Sequence, residues 1–277
     1  MAISLTKTNL FSFLLAMFIL ALAGCSAPST PSAPSSTPSA GAGTPPAQDQ
    51  AELMVSAAAS LTDALQELKP LFEKNHPGVT VTYVLGSSGK LATQIEQGAP
   101  SDLFLSAGKK DMDKLDEKQL IEKESRIDFA RNQLVLVISK DRLVPVSSFE
   151  DLQAGAVQHI AVGQPDSVPA GRYAKETLEH LQLWEPLSEK MVFASDVRQV
   201  LTFVESGNAE AGIVYSSDAA SSDRVQVAAA ANPEWHQPIV YPGAVIQGSP
   251  RAQLARDFLA SLSSEEGREI LKKYGFH

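Results

Sequence analysis

Four short segments of the 277-residue chain combine small neutral residues with the features of a helix start. They are A-A-A-S-L-T-D at 57–63, G-S-S-G-K-L at 86–91, V-P-A-G-R-Y at 168–173 and S-D-V-R-Q-V at 195–200. The first turn of a helix has unpaired backbone N–H groups and a positive dipole end, so several starts aimed at one point bind an anion. Neutral donors leave a ligand proton without an acceptor, which predicts a site for a fully deprotonated tetrahedral oxyanion.

The candidate contacts also have purely structural interpretations. The candidates are Ser60, Ser88, Ala170, Val197 and, at the end of an apolar strand, Tyr215. Ser60 with Asp63 fits a capping box, and the residues around Ser88 fit a turn. Pro169 suits a first helical position and Asp196 an N-cap, while a strand tyrosine such as Tyr215 often packs in a core. The S-S-D that follows Tyr215 favours an accessible strand end and hence a ligand contact.

Three basic residues beside these segments would allow the site to bind other anions if their side chains reached it. Arg172 and Arg198 follow the candidate donors by two positions and one position, and arginine is a natural clamp for phosphate or carboxylate. Lys90 would also add charge if it reached the site, although we expect it to lie along the exposed face of its helix.

Catalytic patterns are weak in this chain. The five histidines show no metal-ligand spacing, Asp63, Asp102 and Asp218 show no pairing by spacing, and no phosphate-binding loop of the G-x-x-x-x-G-K-[ST] type occurs. A secreted hydrolase with Ser60 or Ser88 as nucleophile is the remote alternative, without a G-x-S-x-G elbow or a base partner. We expect no enzyme activity and no cofactor.

The amino terminus predicts export and anchoring. Residues 1–24 carry one lysine and a short apolar run, as in a secretory signal peptide, and L-A-G-C at 22–25 resembles the bacterial lipoprotein box. Cys25 is the only cysteine, so it is the expected lipid attachment site, and an ordinary signal peptide with a chance cysteine is the alternative. Residues 25–50, rich in Ser and Pro, form a tether or a glycosylated stalk. A net charge of −9 without a basic cluster argues against a nucleic-acid partner.

From residue 51 onward, short apolar strands alternate with amphipathic helices, which predicts an α/β fold with parallel strands and crossover helices. Strands are expected at 53–56, 79–84, 102–106, 134–139, 159–162, 191–194, 211–215, 225–229 and 239–246. Helices are expected around 61–72 and at 91–97, 112–120, 173–183, 197–205, 251–262 and 265–274. The candidate helix starts follow strand ends, where open α/β sheets bind ligands, so two facing sheets would form a cleft.

The same segments, read in order with D-L-F-L-S-A at 102–107 and G-I-V-Y-S-S-D-A at 212–219, carry a family resemblance. Over residues 52–277 the chain resembles the periplasmic molybdate-binding proteins, the substrate-binding components of ABC importers. The resemblance implies a two-lobed type II periplasmic binding protein fold with the ligand cleft between lobes. We expect lobe I at 51–130 and 237–277 and lobe II at 131–236, with hinges near 130 and 236.

By this resemblance the ligand is molybdate or tungstate, held as an oxyanion with no direct metal ligand and delivered to a membrane permease with its ATPase. The resemblance assigns the hydroxyls of Ser60, Ser88 and Tyr215 and the backbone N–H groups of Ala170 and Val197 to the anion. Gly89 and Lys90 depart from the hydroxyl residues that some members carry there. A lipid-anchored, extracytoplasmic monomer is expected, and the same fold tuned to sulfate, phosphate or a small carboxylate is the main alternative.

Overall fold

A computed structural model describes residues 50–142 and 144–277 of the chain. The expected signal peptide and the tether up to residue 49, with Cys25, lie outside the described residues. Within them, no helix is both long and apolar enough to cross a bilayer.

The described residues form two five-stranded mixed sheets, with strands numbered along the chain. The strands are β1 (Ala51–Ala58), β2 (Val79–Gly86), β3 (Leu103–Leu105), β4 (Ile127–Arg131), β5 (Leu134–Ser139), β6 (Ile160–Gly163), β7 (Met191–Ala194), β8 (Ala211–Tyr215), β9 (Val225–Ala230) and β10 (Val240–Val245). The first sheet has the order β2-β1-β3-β10-β4 and the second the order β7-β6-β8-β5-β9.

Helices cover both sheets. They are α1 (Thr62–Asn75), α2 (Ser88–Glu96), α3 (Lys109–Glu117), α4 (Pro169–His180), α5 (Trp184–Leu187), α6 (Val197–Glu205), α7 (Ser216–Ala220), α8 (Ala252–Ser263) and α9 (Glu265–Lys273). Short 3-10 helices span Ala59–Leu61, Lys123–Ser125, Glu150–Gln153, Ser188–Lys190 and Pro233–Trp235.

Side-chain periodicity explains how these elements pack. In α1 the buried residues Leu65, Leu68 and Phe72 recur at helical spacing and face the first sheet. Strand β5 is buried along its whole length because it lies between β8 and β9 with both faces covered, which is why it appears in the sequence as one unbroken apolar run.

Each sheet is the centre of one lobe, so the expected two-lobed α/β architecture is confirmed. The chain passes from the first sheet to the second between Arg131 and Leu134, and returns between Ala230 and Val240. We call the part built on the first sheet lobe I and the part built on the second lobe II. The exact lobe limits and hinge positions stay a prediction.

The expectation of parallel strands throughout is wrong for part of each sheet. Strands β1, β2 and β3 are parallel, as are β6, β7 and β8, but β10 is antiparallel to β3 and β4, and β5 is antiparallel to β8 and β9. Strands β5 and β10 enter their sheets directly from the other lobe, without a crossover helix, and therefore run in the opposite direction.

Three elements were not expected from the sequence. Strand β4 carries Asp128 and Arg131 among its five residues, and its position at a sheet edge leaves both exposed, so the apolar pattern of a strand is weak. The short helices α5 and α7 contain a proline and a Ser-Ser-Asp sequence respectively, which are typical of turns.

Candidate functional site

A cavity lies between the lobes at the carboxyl ends of the strands, with about 190 Å³ of space free of protein atoms when its open mouth is included. Lobe I contributes Ala58, Ala59, Ser60, Gly86, Ser87, Ser88 and Ala107, and lobe II contributes Val168, Pro169, Ala170, Val197 and Tyr215. All five residues predicted from the sequence therefore line one cavity, and all five are buried.

Helix starts position most of this lining, as the sequence pattern predicts. Ser60 lies in the 3-10 turn that leads from β1 into α1, and Ser88 is the first residue of α2. Ala170 is the second residue of α4, after Pro169, and Val197 is the first residue of α6. The N–H groups at these positions have no partner within their own helices and are the donors available to an anion.

The two helix-cap interpretations, for Asp196 and for Ser60 with Asp63, have different outcomes in the structure. The carboxylate of Asp196 accepts a hydrogen bond from the Gln199 N–H at 3.0 Å, so it is the N-cap of α6. The capping box of Ser60 with Asp63 is wrong, because no side-chain cap bond forms there and the Ser60 hydroxyl bonds to Tyr241 instead.

Both serine hydroxyls are held by other groups of lobe I. The Ser60 Oγ lies 2.9 Å from the phenol oxygen of Tyr241, and the Ser88 Oγ accepts a hydrogen bond from the Ala107 N–H at 3.0 Å. Because the Ala107 N–H already uses a lone pair of Ser88, the proton of the Ser88 hydroxyl is free to point at a ligand.

Tyr215 reaches the cavity from the end of β8. Its phenol O–H donates to the Ala107 carbonyl across the lobes at 3.3 Å, a long bond that a better acceptor in the cavity would replace. Burial raises the pKa of Tyr215 well above its usual range, so the phenol remains a neutral donor.

Sequence reasoning missed two polar parts of this site. Ser87 is buried, lines the cavity and has no hydrogen-bond partner for its hydroxyl among the described residues, so this hydroxyl is available to a ligand. Ala107 bonds to both Ser88 and Tyr215 through its backbone, and its place just after β3 at a strand end was the available signal.

The charged residues near the site pair with one another, and two of the pairs cross between the lobes. Arg198 of α6 forms ion pairs with Asp63 of α1 and with Asp218 of α7, the latter at 2.9 Å between Nε and Oδ1. Arg172 of α4 pairs with the buried Asp111 of α3. The arginines therefore connect different helices through ion pairs. Asp63 and Asp218 both contact Arg198, although their spacing in the sequence did not suggest that they lie close together.

Within the described part of the chain, no charged side chain lines the cavity. Lys90 is exposed and lines a separate, open groove on one flank of the cleft, where lysines and acids are mixed as on a solvated surface. The expectation that Lys90 stays in water is confirmed, and neither Arg172 nor Arg198 contributes to the lining. The donor set of the cavity is therefore electrically neutral.

Asp218 is a buried acid near the site whose pKa is also shifted. Burial raises its pKa from the ordinary value of 3.8 to about 6, while Arg198 and the N–H of Tyr215 favour the charged form and limit the rise. Asp218 also accepts a hydrogen bond from the Tyr215 N–H at 3.2 Å, and so connects the start of α7 to the cavity wall.

Comparisons with known proteins agree with this architecture. The family model described as bacterial extracellular solute-binding protein matches residues 53–277. The chain is 41% identical over 234 residues to the molybdate-binding protein of Escherichia coli (strain K12), covering 82% of this chain and 90% of that protein.

Two further similarities extend these comparisons. The chain is 40% identical over 270 residues, 98% of each chain, to a Bacillus subtilis (strain 168) protein provisionally named ABC transporter substrate-binding lipoprotein YvgL. The periplasmic molybdate-binding protein of Azotobacter vinelandii superposes with a TM-score of 0.73 at 27% identity, covering 81% of this chain and 98% of that structure. The chain therefore belongs to the bacterial extracellular solute-binding protein family, with the two-lobed type II periplasmic binding protein fold.

Proposed function

We propose that the protein binds molybdate, with tungstate as a close second ligand, outside the cytoplasm and delivers it to the membrane permease of an ABC importer. The observation that carries this proposal is the cavity between the lobes. Four helix starts contribute neutral hydrogen-bond donors to its lining, and no charged side chain among the described residues lines it. The relatives named for molybdate binding support the choice of ligand.

In this proposal the anion bridges the lobes. Ser60 and Ser88 donate from lobe I, while the N–H groups of Ala170 and Val197 and the phenol of Tyr215 donate from lobe II. Contacts made to both lobes at once exist only in the closed form, so the ligand shifts the population toward closure. The permease then recognises the closed shape.

Selectivity follows from the same donors. Sulfate is smaller than molybdate and cannot reach every donor at once, and unmade hydrogen bonds in a buried site are costly. A protonated oxyanion such as hydrogenphosphate presents its O–H to donors and leaves that proton without a partner. Another oxyanion remains the alternative ligand for the same cleft.

Calorimetric titration of the purified protein with molybdate, tungstate, sulfate and phosphate tests the proposal. We expect similar, tight binding of molybdate and tungstate and much weaker binding of the other two anions. Tighter binding of sulfate or phosphate than of molybdate would reject molybdate as the ligand.

The remote alternative, a serine hydrolase, is tested by an active-site phosphonate probe. Within the part of the chain that the structure describes, neither Ser60 nor Ser88 has a histidine or carboxylate as hydrogen-bond partner. We therefore propose no catalytic step and expect no labelling of either serine, whereas labelling would favour the hydrolase.

We further propose that the mature protein is a monomer anchored through a lipid on Cys25, with the Ser- and Pro-rich tether as a spacer. The L-A-G-C sequence supports the anchor, since two or three acyl chains hold a protein firmly at a membrane. Replacing Cys25 by serine should move the protein from the membrane to the soluble fraction without changing its molybdate affinity. Continued membrane association of Cys25→Ser would contradict the anchor.

A further inference from the structure

A series of hydrogen bonds connects Ser60 to two residues that do not line the cavity. It connects Asn132, between β4 and β5, to Tyr241 of β10 and then to Ser60. Tyr241 is completely buried, and within residues 50–142 and 144–277 the hydrogen-bond partners of its phenol are Ser60 and Asn132.

The orientation of the Asn132 amide is set by its neighbours. The Gln133 N–H, which can only donate, lies 2.9 Å from the amide oxygen, and the Ser216 hydroxyl donates to the same oxygen at 2.7 Å. The NH₂ group of Asn132 must then face the other way, where it donates to the Ser217 hydroxyl at 2.8 Å and to the Tyr241 phenol oxygen at 3.2 Å.

This orientation of the Asn132 amide fixes which group donates in each hydrogen bond from Asn132 through Tyr241 to Ser60. Because the Tyr241 oxygen accepts from Asn132, the Tyr241 proton is left to donate to Ser60 at 2.9 Å. Ser60 then accepts from Tyr241, and its own proton is directed at the cavity that it lines. Burial raises the pKa of Tyr241 well above its usual range, which keeps the phenol protonated as this arrangement requires.

The Ser88 hydroxyl is oriented in the same way by a different group. The Ala107 N–H donates to the Ser88 oxygen and cannot accept a hydrogen bond, so the Ser88 proton is left for the cavity. The hydroxyls of Ser60 and Ser88 are therefore both arranged as donors toward a ligand. Ser60 differs in that its polarity depends on two side chains that substitution can change.

We propose that Tyr241 and Asn132 are positioning residues that hold Ser60 as a donor and thereby make the cavity select fully deprotonated oxyanions over protonated ones. This inference rests on the proposed function of the cleft as an oxyanion site. Without the Tyr241 hydroxyl, Ser60 could rotate and accept the proton of a ligand such as hydrogenphosphate.

The decisive variant is Tyr241→Phe, which removes one oxygen and keeps the ring that packs edge-on against Phe276 and Tyr215. Tyr83→Phe is the matched control, because its hydroxyl donates to the Leu65 carbonyl at 2.9 Å in the same lobe, away from the cavity. The assay is displacement of molybdate by phosphate at about pH 8, where the phosphate dianion still carries one proton.

We expect Tyr241→Phe to weaken molybdate binding by about tenfold while hydrogenphosphate binding stays level or rises, so that the preference for molybdate narrows at least tenfold. Tyr83→Phe should leave both affinities unchanged. Equal losses for both anions, or no change in the preference, would overturn the inference, because a general loosening of the lobe weakens both ligands alike.

A second variant tests whether Asn132 acts on Ser60 through Tyr241. Asn132→Ala should also narrow the preference in the wild-type background, but should have no further effect on the preference when Tyr241 is already phenylalanine. An equal additional effect in that background would show that Asn132 does not act through Tyr241. If the wild-type protein fails to bind molybdate at all, the proposed function fails, whereas tight wild-type binding with an unaltered preference in Tyr241→Phe rejects only this inference.

Discussion

At the scale of single residues, the site is a set of neutral hydroxyl and N–H groups, and the oxygens of its two predicted serines each lie within hydrogen-bond distance of another protein group. The Ser88 oxygen accepts from the Ala107 N–H, and the Ser60 oxygen lies within hydrogen-bond distance of the Tyr241 phenol. A hydroxyl that already accepts a hydrogen bond from the protein keeps its proton free to donate to an anion. Arg172 and Arg198 are meanwhile paired with Asp63, Asp111 and Asp218.

Ser88→Ala removes one of these donors. We expect it to weaken molybdate binding by about 1.5–3 kcal/mol, the typical contribution of a hydrogen bond to a charged group. Isothermal titration calorimetry measures the change. Ser139→Ala is the control, since Ser139 is a buried serine of lobe II that does not line the cavity. An unchanged affinity in Ser88→Ala would remove Ser88 from the site.

Asp218 predicts a pH dependence of stability. Its folded-state pKa of about 6 lies above the ordinary value of 3.8, so the folded state holds this proton more tightly than the unfolded state. The contribution is fully favourable below the unfolded pKa and is lost as the pH rises through the folded pKa. Relative to Asp218→Asn, the wild type should therefore lose up to ~3 kcal/mol of unfolding free energy as the pH rises over that interval.

Urea unfolding of both proteins across this pH range measures the difference. Asp218→Asn also alters the ion pair with Arg198. We expect that change to shift the free energy of unfolding by a constant amount, so the pH dependence of the difference between the two proteins reports the Asp218 proton. A difference between the two proteins that does not vary with pH would contradict the raised pKa.

At the scale of elements, the start of α2 docks against the loop that precedes α4 in the other lobe. The Gly89 N–H donates to the Ser167 carbonyl across the lobes at 3.0 Å. A Cβ atom at Gly89 would lie 2.5 Å from that carbonyl oxygen and 2.9 Å from the Ser167 Cα, both of which are backbone atoms. The departure of Gly89 and Lys90 from the family pattern thus affects how the lobes meet, not the charge of the cavity.

Gly89→Ala should keep the lobes from closing fully. We expect molybdate affinity to fall by about 5- to 150-fold, which corresponds to overpacking costs of ~1–3 kcal/mol. Calorimetry measures the affinity, and small-angle X-ray scattering with ligand present should show a larger radius of gyration than in the wild type. Gly155→Ala is the control because a Cβ atom there meets nothing within 4 Å. A fully closed, tight-binding Gly89→Ala protein would contradict the contact.

At the scale of the whole molecule, two Arg–Asp pairs connect the lobes without lining the cavity. Arg198 and Asp63 connect α6 with α1, and Arg172 and Asp111 connect α4 with α3. Both arginines follow closely on the candidate backbone donors of the cavity, so we expect closure around a ligand and formation of the pairs to occur together. The pairs add stability to the closed form without placing charge in the cavity.

Asp63→Asn removes one tie while leaving Arg198 paired with Asp218. We expect ligand release to speed up about two- to fivefold, a modest effect because the pair is partly exposed. Stopped-flow displacement measures the rate, and its salt dependence should be smaller in the variant than in the wild type. Asp113→Asn is the control, since its partner Arg126 belongs to the same lobe. An equal effect of the two variants would contradict a role in closure.

Much of the local structure could be predicted from the sequence. The bounds of β5, β7, β8 and α6 agree with the apolar runs and the Asp196 cap, and the four helix starts lie where small residues follow strand ends. These features depend on interactions between residues a few positions apart, so the pattern of residue types is sufficient to specify them.

The tertiary structure alone decided which distant groups complete the site. Tyr241 reaches Ser60 from 181 positions away, and Arg198 reaches Asp63 from 135 positions away. The mixed strand directions likewise follow from how the chain passes between the lobes. Hydrogen bonds and ion pairs of this kind have no local periodicity, because they depend on which strand ends and loops the fold brings together. The sequence by itself determined the neutral donors, and the fold determined their partners and hence their polarity.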